Sequence, residues 1–122
     1  NAIASPAAVS NAEEVTAIQD QIDSIYGSRE LQEYIVDLIR RSREHRDLVL
    51  GGSPRAAIYL MKAARTHALL RGLPYLTHED IQSVALPVLG HRLILQPEAE
   101  MEGRQVSDIV KELIQAVPVL KS

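Results

Sequence analysis

The chain has 122 residues, no cysteine, 46% apolar and 24% charged residues, and a formal net charge of −3. That length suffices for one globular domain with its own core. The composition excludes a disulfide scaffold and any Cys-ligated zinc or iron–sulfur site, and no apolar run approaches the roughly 18 residues of a membrane span. The opening Asn1-Ala2-Ile3-Ala4 lacks the basic region of a signal peptide and reads as a cut within a longer protein, so the chain is expected to be a fragment. With no Phe, no Trp and only 4 Tyr, the core must come from 15 Leu, 11 Ile, 10 Val and 14 Ala. Aromatic platforms for single-stranded nucleic acid are therefore scarce, and the acidic total argues against broad phosphate-backbone binding. The charge is uneven: residues 1–27 carry −4, residues 28–72 carry +4 and residues 73–122 carry −3.

Residues 1–9 read as a linking segment. Ser10 and Glu13 have the spacing of a capping box, and Val15, Ile18, Ile22 and Ile25 recur at helical spacing. A first helix is therefore expected from Ser10 to about Tyr26, stopped at Gly27. Ser28 caps a second helix, on which Leu31, Tyr34, Ile35, Leu38 and Ile39 form an amphipathic stripe. Its end carries Arg40, Arg41, Arg43 and Arg46, where cations favour the helix dipole. Leu48-Val49-Leu50 is a short β-favouring run ended by Gly51-Gly52. A third helix follows with Ser53 as N-cap, Pro54 in the first position and Gly72 as the stop. Thr77 caps a fourth helix holding Ile81, Val84, Ala85, Val88 and Leu89, with Pro87 late in it. Leu93-Ile94-Leu95 is a second β-like run that can pair with residues 48–50 as a two-stranded ribbon. Residues 96–105 read as irregular. Ser107 is expected to cap a last helix that ends before Pro118. The fold class is all-α: a small bundle of about five helices with one short β ribbon.

The chemistry concentrates in Leu50-Gly51-Gly52-Ser53-Pro54-Arg55-Ala56. Arg55 sits in the first turn of a helix, where the positive end of the dipole disfavours a cation by up to about 1 kcal/mol. Helix stability alone would select an acid there. Ser53 and Pro54 set where the helix begins, and so the direction of Arg55. First-turn N–H groups with one arginine make a small phosphate-binding device. On a wheel of 100° per residue, Tyr59 and Lys62 lie within about 40° of Arg55, with Ala57, Leu60, Met61, Ala64 and Ala68 opposite. Arg55 should thus point away from the packing face. The competing reading is an ordinary surface arginine paired with Glu79 or Asp80, and local physics leaves both open.

Tyr34-Ile35-Val36-Asp37-Leu38-Ile39, then Ser42-Arg43-Glu44-His45, then Leu50 to Ala56, resembles the C-terminal lid of MoxR-type AAA+ ATPases. The resemblance continues through Ala63-Ala64-Arg65, Arg71-Gly72-Leu73-Pro74-Tyr75, Thr77 to Ile81 and Val88-Leu89-Gly90-His91-Arg92. It runs from about residue 10 to residue 118, and on it residues 10–122 form the lid domain. The family pattern often has Thr where Ser42 stands and Ala where Gly52 stands. The resemblance implies that Arg55 is a sensor-2 arginine reaching the γ-phosphate of ATP on a preceding core domain, with Ser53 and Pro54 beside it. In related clades such as magnesium chelatase subunits the lid arginine serves a neighbouring subunit, and the sequence leaves cis and trans action open. The implied cofactors are ATP and Mg²⁺ in the full-length protein, with none bound by this chain alone. The implied partners are the core domain, neighbouring subunits of a hexamer and a protein substrate, and the implied location is cytoplasmic. The chain contains neither a G-x-x-x-x-G-K-[ST] loop nor a Walker B acid, so it is expected to hydrolyse no ATP by itself.

Other constellations are weaker. No two of His45, His67, His78 and His91 stand four apart on a helix, which disfavours a zinc site. Residues 91–92 read as structural, with bonds to loop carbonyls. Glu98, Glu100 and Glu102 read as a solvated face and not a calcium site. Ser53 is engaged as a cap and makes a poor hydrolytic nucleophile. Tyr34 and Tyr59 read as core-edge residues. The rival function is a stand-alone helical interaction module, with residues 40–46 as a nucleic-acid contact.

Overall fold

The computed structural model describes residues 5–119, with side chains from residue 11 onward. Among the described residues the order is α1 Ser5–Asp23, α2 Arg29–Glu44, β1 Leu48–Leu50, α3 Pro54–Leu70, α4 His78–Leu89, β2 Ile94–Leu95, α5 Pro97–Met101 and α6 Val106–Ala116. The helical class and the antiparallel ribbon, with Leu48 opposite Leu95 and Leu50 opposite Ile94, agree with expectation. Gln96 N–H extends the ribbon by donating to Asp47 O at 2.7 Å.

The core forms where helical stripes face one another. On α3 the residues Ala56, Leu60, Ala64 and Ala68 are completely buried, one per turn. They meet Ile81, Ala85 and Leu89, spaced the same way on α4, in the most extensive helix contact of the fold. Three alanines on one stripe let the two backbones approach closely. Leu31, Tyr34, Ile35, Leu38 and Ile39 of α2 and Ile109, Val110 and Leu113 of α6 complete the core.

Caps define most boundaries. Ser28 Oγ accepts from the Leu31 N–H at 3.2 Å, and Ser53 Oγ accepts from the Ala56 N–H at 3.3 Å. At the other end of α3, Gly72 adopts φ +79°. Its N–H donates to Leu69 O at 2.9 Å and the Leu73 N–H donates to Ala68 O at 3.0 Å, the paired closure that a left-handed glycine allows. Pro87 lies inside α4, in its last turn.

Four expectations require correction. Helix α1 begins at Ser5, so Ser10 is inside it and is no cap, and residues 5–9 are helical. Ser5-Pro6 supplies an earlier start, because proline is tolerated in a first turn. Residues 1–4 of the expected linking segment lie outside the described residues. The same helix ends at Asp23 and not at Tyr26. The Tyr26 N–H instead donates to Pro74 O at 3.0 Å, and Tyr26 O accepts from the Leu76 N–H at 2.7 Å. Residues 96–105 are not wholly irregular: Pro97 opens α5 and Gly103, at φ +87°, follows its end. That is the same proline-in, glycine-out pattern that marks α3. Finally, α6 is capped by Gln105 and not Ser107, with the Gln105 N–H donating to the Asp108 carboxylate at 2.9 Å.

Candidate functional site

Arg55 occupies the second position of α3, after Ser53 as N-cap and Pro54. It is exposed, as are Tyr59 and Lys62 on the same face, while the buried alanine–leucine stripe faces the other way. The acids that could have paired with it belong to Arg71. Arg71 Nη1 lies 3.7 Å from Glu79 and Arg71 Nε lies 2.9 Å from Asp80. Among the described residues Arg55 has no carboxylate partner. The first turn of α3 holds no acid either. Its N–H donors are fewer than the sequence suggested. Pro54 has none and Ala56 gives its own to Ser53, so what faces outward is Arg55 itself. Ser53 and Pro54 therefore act here on the geometry of the turn.

The start of α3 is fastened from behind by α2. Ser42 is completely buried in the last turn of α2. Its Oγ donates to Ile39 O at 2.6 Å and accepts from the Gly52 N–H at 2.8 Å. Arg43 Nε donates to Gly52 O at 3.0 Å. A Cβ on Gly51 would stand 2.5 Å from Ser42 O and 2.6 Å from the Arg43 backbone, so only glycine fits that approach. Sequence reading singled out neither Ser42 nor Arg43 for this. The one available signal was a serine at a core position of the α2 stripe, which needs a buried partner.

The basic run of α2 is divided among several tasks. Arg40 pairs with Asp37, Arg43 holds Gly52, and Arg41 and Arg43 stand in the last turn. The histidines are dispersed too. His45 Nε2 donates to Glu112 at 2.9 Å while its Nδ1 accepts from the Asp47 N–H at 3.1 Å. His67 donates to Asp80 at 2.6 Å. His78 lies edge-on to Tyr34, with ring centroids 4.8 Å apart. Burial lowers the His78 pKa. His91 is exposed, and it is Arg92 that bonds the Val88 carbonyl, at 3.1 Å. Arg92 also lies over the Tyr59 ring at 4.5 Å. Among the described residues no group of three His, Asp or Glu converges for a metal.

Two polar networks tie loops to helices. Asp80 is fully buried. Burial alone would raise its pKa, but hydrogen bonds from Arg71, His67 and Thr77 outweigh that and hold it far below the ordinary carboxylate range. Glu112 is also lowered, first by His45 and then by Arg104, whose Nη2 lies 2.6 Å away. The Glu112 group borders an open polar cleft of about 910 Å³ that includes Asp47, Gln96, Glu98 and Arg104 but not Arg55.

A helical bundle with a short β ribbon is consistent with an AAA+ lid. Comparison with known proteins agrees, since the AAA lid domain family matches residues 40–113. The chain belongs to that family, and within it is a C-terminal lid of the MoxR type. It is 40% identical over 107 residues to the uncharacterized protein YeaC of Bacillus subtilis, covering 88% of this chain and 33% of that protein. It is 42% identical over 73 residues to protein MoxR of Methylorubrum extorquens, covering 58% and 21%. It is 30% identical over 96 residues to chaperone MoxR1 of Mycobacterium tuberculosis, covering 71% and 26%. A crystal structure from Cytophaga hutchinsonii, assigned as an ATPase, superposes with a TM-score of 0.84 at 32% identity, over 89% of this chain and 36% of that one. The chain thus spans about a third of the length of the first of these relatives. Among the described residues no helix is long and apolar enough to cross a membrane.

Proposed function

We propose that this chain serves as the lid of a larger ATP-hydrolysing protein and that Arg55 is its sensor-2 arginine. The observation that carries this is a lone exposed arginine in the first turn of α3, on the face opposite the buried stripe and without a carboxylate partner among the described residues. Its planar fork of N–H donors suits a phosphate oxygen, and a triphosphate would relieve the unfavourable cation at the positive helix end. ATP and Mg²⁺ would be held by a core domain outside this chain, and Arg55 would add charge to the terminal phosphate from the lid side. The lid, expected over residues 10–122 but taking in all of α1 from Ser5, would then move as one body, passing nucleotide state to the neighbouring subunits of a hexameric ring in the cytoplasm. The name of the Mycobacterium tuberculosis relative supports a chaperone-like role in remodelling a protein substrate.

The test is Arg55→Ala in the full-length protein, with nucleotide binding and turnover both measured. Turnover is expected to fall about a hundredfold or more while Mg-ATP binding is largely retained, as for an arginine that acts mainly on transferred charge. Unchanged turnover would remove the assignment. The isolated chain is expected to show no hydrolysis.

A further inference from the structure

We infer that Ser42 and Arg43, at the end of α2, are positioning residues for Arg55. This rests on the reading of Arg55 given above. The direction of an arginine in a first helical turn depends on where the helix starts and on how its start is held. The start of α3 is set locally by Ser53 and Pro54, but those two fix only the chain's conformation. What fixes its place in the molecule is the Gly51–Gly52 dipeptide immediately before them. Both polar groups of Gly52 are held by α2: its N–H by the Ser42 hydroxyl at 2.8 Å and its C=O by Arg43 Nε at 3.0 Å. Gly51 lies against the same turn so closely that a single methyl there would meet Ser42 O at 2.5 Å. The hydroxyl is itself oriented, because it donates to Ile39 O at 2.6 Å and so presents its lone pairs to Gly52. Ser42 is completely buried, and water cannot replace it as the acceptor.

Two residues, Ser53 and Pro54, separate this clamp from Arg55. A loop that relaxes by a fraction of an ångström at Gly52 displaces the start of α3 and the guanidinium with it. Misplacing a catalytic group by about 1 Å costs up to about a hundredfold in rate, so a partial relaxation is expected to cost roughly tenfold. Substrate binding, carried by the core domain, should change little. A residue that merely stabilised the bundle would not separate the two.

The experiment uses the full-length protein and compares Ser42→Ala, Ser42→Thr, Arg43→Met, Arg55→Ala and a core control, Val110→Ala. Val110 is buried in α6 and takes part in none of the clamp's hydrogen bonds. For Ser42→Ala we expect turnover to fall about tenfold with KM for ATP within about twofold. Ser42→Thr keeps the hydroxyl and should restore turnover, and Arg43→Met should lose about threefold. Val110→Ala should retain turnover at a comparable fall in melting temperature. If Arg55→Ala abolishes turnover but Ser42→Ala leaves it intact, the clamp has no positioning role, while the reading of Arg55 survives. The same holds if Val110→Ala loses as much as Ser42→Ala. If Arg55→Ala leaves turnover intact, the reading of Arg55 falls and this inference falls with it. Should Ser42→Ala not fold, Arg43→Met decides: a threefold loss supports positioning and native turnover overturns it.

Discussion

Replacing Asp80 by alanine is expected to unfold the lid more readily than almost any other single polar substitution. The carboxylate is fully buried. It accepts from Arg71 Nε at 2.9 Å and Nη2 at 3.0 Å, from His67 at 2.6 Å, and from the Thr77 N–H at 2.9 Å and hydroxyl at 2.8 Å. It thereby joins the end of α3 to the start of α4. Losing the carboxylate removes half of a capping box, about 1 kcal/mol. It also strands the Thr77 N–H, which adds about 1–3 kcal/mol. Arg71 and His67 are 34% and 32% exposed and can turn to water, so their loss is screened and adds little. The expected destabilisation is about 2–4 kcal/mol, read from urea unfolding at neutral pH with an unchanged slope. A loss below about 1 kcal/mol would refute the view that this network ties the two helices. The acid limb gives an independent check. The folded pKa of Asp80 lies below its ordinary value of 3.8, so its contribution is fully present above that value and fades as pH falls below it. The native chain should lose this stability below pH about 4, and Asp80→Ala should have none of it left to lose.

Two glycines separate strain from collision. Gly72 has φ +79° with nothing within 4 Å of an added Cβ, so Gly72→Ala should cost only the left-handed penalty, about 1–2 kcal/mol by urea unfolding. Gly51→Ala should cost more, because its Cβ would collide with Ser42 O at 2.5 Å and α2 would have to move. Equal losses for the two would argue against the close approach. Glu112→Gln should lower stability at neutral pH and flatten its fall in acid. The folded Glu112 pKa lies below 4.5 through His45 and Arg104, so its contribution is present above that value and fades as pH drops below it. Acid unfolding curves of the two proteins that run parallel would show that these contacts contribute nothing.

Much of the bundle was legible locally. Ser28, Ser53 and Thr77 cap the helices expected of them, and Gly72 stops α3, because a side-chain oxygen three residues before an N–H and a residue free of Cβ strain are properties of short strings. The stripes of α2 and α3 were legible for the same reason, since period alone decides which residues share a face. Where several signals of this kind compete within a few residues, the reading slipped. Ser10 and Ser107 each stand near a better start, and α5 is only five residues long.

The residues of the candidate site divide in the same way. That Arg55 stands in a first helical turn, on the face away from the alanine stripe, follows from Ser53, Pro54 and the 3.6-residue period. That it has no carboxylate partner among the described residues does not. Glu79 and Asp80 were equally available to Arg55 and Arg71 on paper, and only the packing of α3 on α4 gives both acids to Arg71. The fastening of Gly52 by Ser42 and Arg43 spans ten and nine positions, and no periodicity reports it. Length and composition by themselves determined a cysteine-free aliphatic bundle. The tertiary structure alone decided that Arg55 has no carboxylate partner among the described residues and what holds the start of its helix, because pairing depends on distances between helices that a linear pattern does not contain.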